Sequence, residues 1–251
     1  MFEMEPEGAR VAPTRGMHEL YYWSEIQGRG EFVRLVLEEL HEPYVDVGRE
    51  RGDDAVSDAL DGVLAPYAFA PPVLRSGDLV IAQTALITRW LGETYGLAPR
   101  DEKGRLAAAA IAMTIADLVA EAHDTHHPIS VGDVFEKQKA TARARAKAFR
   151  EQRIPKFLGY LERILERTGD YLVGTPSYAD LAAFQVVEGL DYAFPHAMRQ
   201  QQLPNLRALR DRIAQRPRIT AYLTSPRRLP FNESGIFRHY RELDQARDSA
   251  A

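Results

Sequence analysis

The chain has 251 residues, 45% of them hydrophobic and 27% charged, with a net charge of -4 at pH 7. This length suits one large domain or two small ones, the composition is that of a folded globular chain, and the acidic balance excludes a general nucleic-acid binder, which would be basic overall or on one face. Cysteine is absent, which removes disulfides, thiolate metal sites and a cysteine nucleophile together, so the protein supplies no thiol of its own.

Residues 1–17 are rich in Glu, Pro and Arg and lack the apolar core of a secretion signal, so they read as a flexible extension, with the cytoplasm as the default compartment. No run approaches the ~18 apolar residues of a membrane-spanning helix. Glu19 to Trp23 reads as a strand, and a turn over Ser24 to Gly28 follows. Phe32, Val33, Leu35, Val36, Leu37 and Leu40 recur at helical spacing, and Pro43 stops that helix. Tyr44 to Val47 reads as a second strand, expected parallel to the first through a right-handed crossover. Gly48 to Tyr67 is polar and is expected to be a loop with a weak helix. Two short strands around Ser76-Gly77-Asp78 form a hairpin, and a helix runs from Thr84 to Tyr95.

After Gly96 the texture changes. Leu106 to His127 and Phe135 to Thr168 are long, Ala-rich and helical, with a kink expected at Pro155. Ser177 to Tyr192, Leu206 to Gln215 and Arg218 to Thr224 complete an all-helical half. The expected organisation is an α/β domain over residues 18–98, an all-α domain over 104–224, and a tail over 225–251. Phe231, Ile236, Phe237 and Tyr240 make that tail too apolar for a free end, so it is expected to pack on the body.

Leu20-Tyr21-Tyr22-Trp23 followed by Gln27-Gly28-Arg29-Gly30-Glu31 resembles the first strand and helix of the cytosolic glutathione S-transferases of the tyrosine type. Pro72-Val73-Leu74, the hairpin, and Ala82-Gln83-Thr84-Ala85 resemble the same family's thioredoxin-like domain. Leu172-Val173-Gly174 with Ser177-Tyr178-Ala179-Asp180 resembles its buried capping box. These landmarks fall in the family's order across residues 19 to 224. The resemblance implies a thioredoxin-like domain followed by an all-helical domain, a cytoplasmic homodimer, and glutathione as co-substrate with no metal. It further implies that Tyr22 and Arg29 stabilise the glutathione thiolate, with Ser24 the second choice for the catalytic post. Glutathione would lie against Trp23, Pro71, Pro72, Val73, Gln83 and Thr84, with Asp117 reaching across the dimer. A hydrophobic electrophile would sit between the domains, under Phe231 and Phe237. No nucleic-acid or membrane partner is expected.

Physical chemistry supports these roles. A free thiol with a pKa of about 8.5 needs roughly 2.7 kcal/mol of preferential anion binding to ionise two units lower. A phenol donating to sulfur beside a guanidinium can supply it. Gln83 and Thr84 sit at a helix N-terminus, which favours a carboxylate.

Plainer readings compete. Tyr22 can be a packed strand aromatic, Arg29 a solvated helix residue, Thr84 a helix cap and Asp117 a surface carboxylate. The opening segment is one residue longer than the family pattern, so Tyr21 also competes with Tyr22. Pro71 departs from the pattern: it has no N–H, which removes one hydrogen bond to the glutathione backbone, worth about 0.5–1.5 kcal/mol. His123, Asp124, His126 and His127 suggest a metal site, but the spacing indicates no third ligand, and these His are expected at a helix end, bordering the electrophile pocket. Lys137 to Arg153 reads as a solvated basic face. The alternatives in function are a non-catalytic binding or scaffold protein of this fold, or a glutathione-dependent isomerase or peroxidase.

Overall fold

The computed structural model describes residues 17–64, 66 and 68–245. The extension expected over residues 1–17 therefore lies outside the described residues except for Met17, as does the end of the tail, 246–251.

The first half runs β1 (His18–Tyr21), α1 (Gly30–Leu40), β2 (Tyr44–Asp46), α2 (Val47–Arg51), α3 (Asp53–Asp61), β3 (Val73–Ser76), β4 (Leu79–Ala82) and α4 (Thr84–Tyr95). Its sheet has the order β2-β1-β3-β4. β2 is parallel to β1, as a strand returning after a helix should be, and β3 and β4 form the antiparallel hairpin. Strand alternation divides β1: Leu20 enters the main core, while Tyr21 enters a smaller one on the other face.

Where a loop with a weak helix was expected from residue 48, two helices stand by residue 61, and they build that smaller core. α2 and α3 bring Val47, Val56 and Ala59, with Leu64 just beyond, against Tyr21 and Val73. Too few apolar residues, widely spaced among Asp, Arg and Gly, carry this packing for periodicity to reveal it.

α1 is buried on nearly every side because it packs on α4 and on helices of the second half. Val33, Leu35, Val36 and Leu37 are fully buried, each worth about 1.5–3 kcal/mol of gross stabilisation. The helix also carries Glu31 and Arg34 into the interior, both 0% exposed. Buried charges must be paired. Arg34 Nε donates to Asp46 Oδ2 at 2.7 Å and its Nη1 to Glu31 Oε2 at 3.3 Å. Glu31 also accepts from the Tyr222 hydroxyl at 2.7 Å and from Arg228.

The second half contains α5 (Glu102–Asp124), α6 (Phe135–Ala148), a π-helical turn over Phe149–Arg153, α7 (Ile154–Thr168), α8 (Tyr178–Ala193), α9 (Pro195–Arg199), α10 (Pro204–Ala214) and α11 (Pro217–Leu223). A π-helical turn precedes α7, and Pro155, where a kink was expected, sits in the first turn of that helix, a position that tolerates a missing N–H. α5 corrects another expectation. It has 23 residues and an 18-residue stretch of mean hydropathy 1.5, long and apolar enough to span a bilayer by those measures. Here Ile111, Ile115, Leu118 and Val119 are buried in the protein core, and the helix packs on α4 and α8.

α8 starts at a capping box. Asp180 accepts from Ser177 N at 2.8 Å, Ser177 Oγ at 2.9 Å and Leu172 N at 2.8 Å. Burial pushes its carboxyl up to about 6, against the pull of those donors.

Residues 225–245 return across both halves. Gln27 Nε2 donates to Leu229 O at 2.5 Å, and Asn232 Nδ2 to Glu25 O at 2.8 Å. The Tyr240 ring stacks on Phe135 at 4.0 Å, and Asp244 accepts from the backbone N–H groups of His196 and Ala197 at the start of α9.

Candidate active site

Tyr22 follows the last residue of β1, and the turn after it folds back onto its ring. A Cβ on Gly28 would stand 2.0 Å from the Tyr22 hydroxyl oxygen, and one on Gly30 would stand 2.5 Å from the ring. Only glycine permits that approach, and Gly28 also has a φ of 44°. Tyr22 is left 4% exposed. Its hydroxyl oxygen accepts from the Arg29 backbone N–H at 2.8 Å, and the Arg34 guanidinium lies 5.6 Å from the ring centroid. Burial pushes the phenol above its ordinary range; the Arg29 N–H and the Arg29 and Arg34 charges act the other way without cancelling it. Tyr22 therefore keeps its proton at neutral pH, and with the oxygen accepting from Arg29 that proton is available to donate.

Tyr21 is turned to the opposite face, where its hydroxyl donates to Glu19 Oε2 at 3.0 Å. Trp23 is half-buried against the smaller core. Ser24 is half-buried, with its backbone N–H donating to Asp53 Oδ1 at 2.8 Å. The peptide bond Pro71–Pro72 is cis, and Val73 pairs with Tyr21 on one side and Ala82 on the other.

A small cleft of about 80 Å³ opens between the two halves. Arg29 and Phe32 line it from one side, Gln83, Thr84 and Thr88 from α4, and Ile115 and Val119 from α5. Tyr22 is outside this lining. Gln83 is exposed and occupies φ 73°, ψ 117°, a combination that non-glycine residues rarely adopt and that costs about 1–3 kcal/mol. It holds the N-cap position of α4, yet its side chain makes no capping bond. Thr84 is the first helical residue rather than the cap, and its Oγ1 is buried with no hydrogen-bond partner.

Of the residues singled out in the sequence, Arg29, Gln83 and Thr84 meet in the cleft. Asp117 lies exposed on α5, away from its lining. Phe231 is half-buried and stacks on Tyr192 at 5.1 Å. Phe237 is buried against Gly189, which makes it core rather than a roof. Sequence reasoning missed Phe32 as a cleft residue and the clamp of Gly28 and Gly30 on Tyr22. The close pair of glycines after a strand aromatic was the available signal. His123, His126 and His127 are brought together at the end of α5, so the third nitrogen donor that the spacing did not indicate is supplied by the turn after the helix.

Residues 123–226 match the family model described as "Glutathione S-transferase, C-terminal domain". A glutathione S-transferase of Plasmodium yoelii yoelii is 26% identical over 204 residues, covering 79% of this chain and 90% of its own length. One from Plasmodium falciparum (isolate 3D7) is 26% identical over 217 residues, covering 82% and 94%. The chain is thus similar to glutathione S-transferases over most of its length. Solved structures show the same fold. Prostaglandin synthase D of Nilaparvata lugens superposes with a TM-score of 0.69 at 22% identity, over 86% of this chain and all of its own. A Pi-class glutathione S-transferase of Onchocerca volvulus gives 0.68 at 22% identity, over 88% and 99%. The sheet and helices through α4 thus form a thioredoxin-like part, and α5 to α11 a helical part.

Proposed function

We propose that this chain ionises the thiol of glutathione and conjugates it to electrophilic small molecules. The observation that carries this reading is the start of α4: an exposed, strained Gln83 followed by a buried Thr84 hydroxyl without a partner, at the positive end of a helix dipole. That arrangement suits the γ-glutamyl carboxylate, which would complete it. Trp23, Pro72 and the backbone of Val73 would border the rest of the tripeptide. Pro71 offers a carbonyl but no N–H, so the cysteinyl backbone would be held by one bond fewer.

The thiolate sulfur would accept a hydrogen bond from the Tyr22 hydroxyl, which keeps its proton, with the Arg29 charge close by. Stabilising the thiolate by roughly 2.7 kcal/mol makes it the dominant form near neutral pH. Phe32, Ile115 and Val119 give the cleft an apolar wall for the electrophile, and rate would come from holding both reactants together. A homodimer is part of the proposal. Leu86 on α4, and Leu106 and Met113 on α5, are about half exposed, and Phe69 is 94% exposed, an apolar set that a second copy would cover. Asp117 on α5 would then be offered to the partner's site. The compartment proposed is the cytoplasm.

Calorimetry with glutathione, combined with a conjugation assay on a generic aryl halide, tests the reading. Saturable binding with turnover is expected. The burial of Tyr22 and the missing Pro71 N–H favour one rival, a non-catalytic member of the fold. Binding without turnover would establish that rival as a ligand carrier, and no binding as a scaffold.

A further inference from the structure

Three imidazoles meet where α5 ends. One ring nitrogen each from His123, His126 and His127 lies within 4.8 Å of the others. His126 and His127 are buried, and His123 is half-buried. His126 Nε2 lies 2.8 Å from the carbonyl oxygen of Ile236. A carbonyl only accepts, so Nε2 carries the hydrogen and neutral His126 presents a bare Nδ1. That atom faces His127 Nδ1 at 2.5 Å, and the His127 ring is itself held by the backbone of Asp133. A ligating histidine is oriented in this way, its remote nitrogen anchored to a backbone carbonyl so that the other lone pair is aimed.

We propose that His123, His126 and His127 form a binding site for one divalent transition-metal ion of the zinc class, with a fourth coordination position left open. Three neutral imidazole nitrogens are a donor set that suits zinc, cobalt, nickel or copper rather than calcium or magnesium. Metal–nitrogen bonds of about 2.0–2.1 Å in a tetrahedron separate the nitrogens by about 3.3–3.4 Å. Seating the ion therefore means widening the His126–His127 contact and drawing His123 inward, each by an ångström or so. Arg29 and Arg238 lie close enough to disfavour positive charge on His123, and they act against a cation in the same way. They also select the fourth ligand: an anion such as hydroxide, a carboxylate or a thiolate. Access is from the side of His123, the half-exposed member of the trio.

The test uses the untagged full chain, stripped with a chelator and kept free of glutathione, whose thiol would compete for the metal. Cobalt(II) should give the intense visible bands of a tetrahedral ion, saturating at one per chain, and zinc should displace it. His123→Gln and His126→Asn should each weaken zinc binding about a hundredfold or more, with circular dichroism confirming that the helices persist. His123→Gln, at the half-exposed position, serves if the buried variant does not fold. Arg238→Gln should tighten binding, which a site elsewhere on the surface would not show. Absence of cobalt bands, or equal zinc affinity in His123→Gln and the parent, would overturn the proposal and leave a shared proton as all that the His126–His127 gap holds. Because glutathione and turnover play no part in the readout, the result is independent of the transferase reading.

Discussion

At the start of α4 the chain holds Gln83 in a rarely populated backbone region and leaves the Thr84 hydroxyl without a partner, whereas at the end of β1 the surroundings of Tyr22 are filled: glycines against the ring, an N–H on the oxygen, a guanidinium over the face. Both regions are proposed to hold the same tripeptide. One is completed by a ligand and the other is nearly complete without it. Affinity should therefore rest on the α4 end, while reactivity rests on a phenol whose position is fixed before any thiol arrives.

The most severe way to break this contrast is Gly28→Ala. Its Cβ would collide with the Tyr22 hydroxyl at a position with positive φ, and a loss of about 2–4 kcal/mol is expected in denaturant unfolding. Thiolate absorption by bound glutathione should vanish with it. An unchanged midpoint would show that the phenol is not clamped. Tyr22→Phe is milder and sharper. It keeps the ring, should cost about 1 kcal/mol of stability by orphaning the Arg29 N–H, and should raise the pH at which bound glutathione ionises by about 1–2 units. Loss of stability with an unshifted thiol titration would make Tyr22 a packing residue and turn attention to Ser24→Ala.

Thr84→Val tests the other region and should act with opposite signs. Glutathione affinity, measured by calorimetry, is expected to fall about 5–10-fold. The free protein should unfold no earlier, because the hydroxyl removed has no partner to lose. Equal destabilisation of free and bound forms would refute an unfinished site. The smallest effect is one of pH. The Tyr22 phenol is raised above its ordinary value of 10.0 in the folded chain, so the folded state holds its proton longer than the unfolded state. Its contribution to stability is full below pH 10 and declines as pH rises from there through the folded pKa. In Tyr22→Phe the alkaline slope of stability should be shallower by one group.

Much of this was legible in the residues themselves. The period of α1, the Ser76-Gly77-Asp78 turn and the Ser177/Asp180 cap are local signals, and each produced its element. α2 and α3 were not legible, because Val47, Val56 and Ala59 find their partners only across the sheet. The fate of Phe237 was equally hidden, since it depends on Gly189 in another helix. Within the site, Arg29, Gln83 and Thr84 could be named from short strings. The burial of Tyr22 could not, because it depends on how closely Gly28 and Gly30 fold back onto the ring.

Arg228 touches Glu31 on α1 and, through Nη2 at 3.0 Å, Gln185 Oε1 on α8, which in turn holds Gln27. Synthesis makes Glu31 and its neighbour Arg34 together but Arg228 only 197 positions after Glu31, so a nascent chain carries an under-neutralised carboxylate at the hub of α1 until residue 228 is made. A premature stop or exopeptidase trimming past Arg228 would return the molecule to that unfinished condition. Arg228 thus works as a late fastener, and the hub stays unsealed until that residue has emerged and folded back.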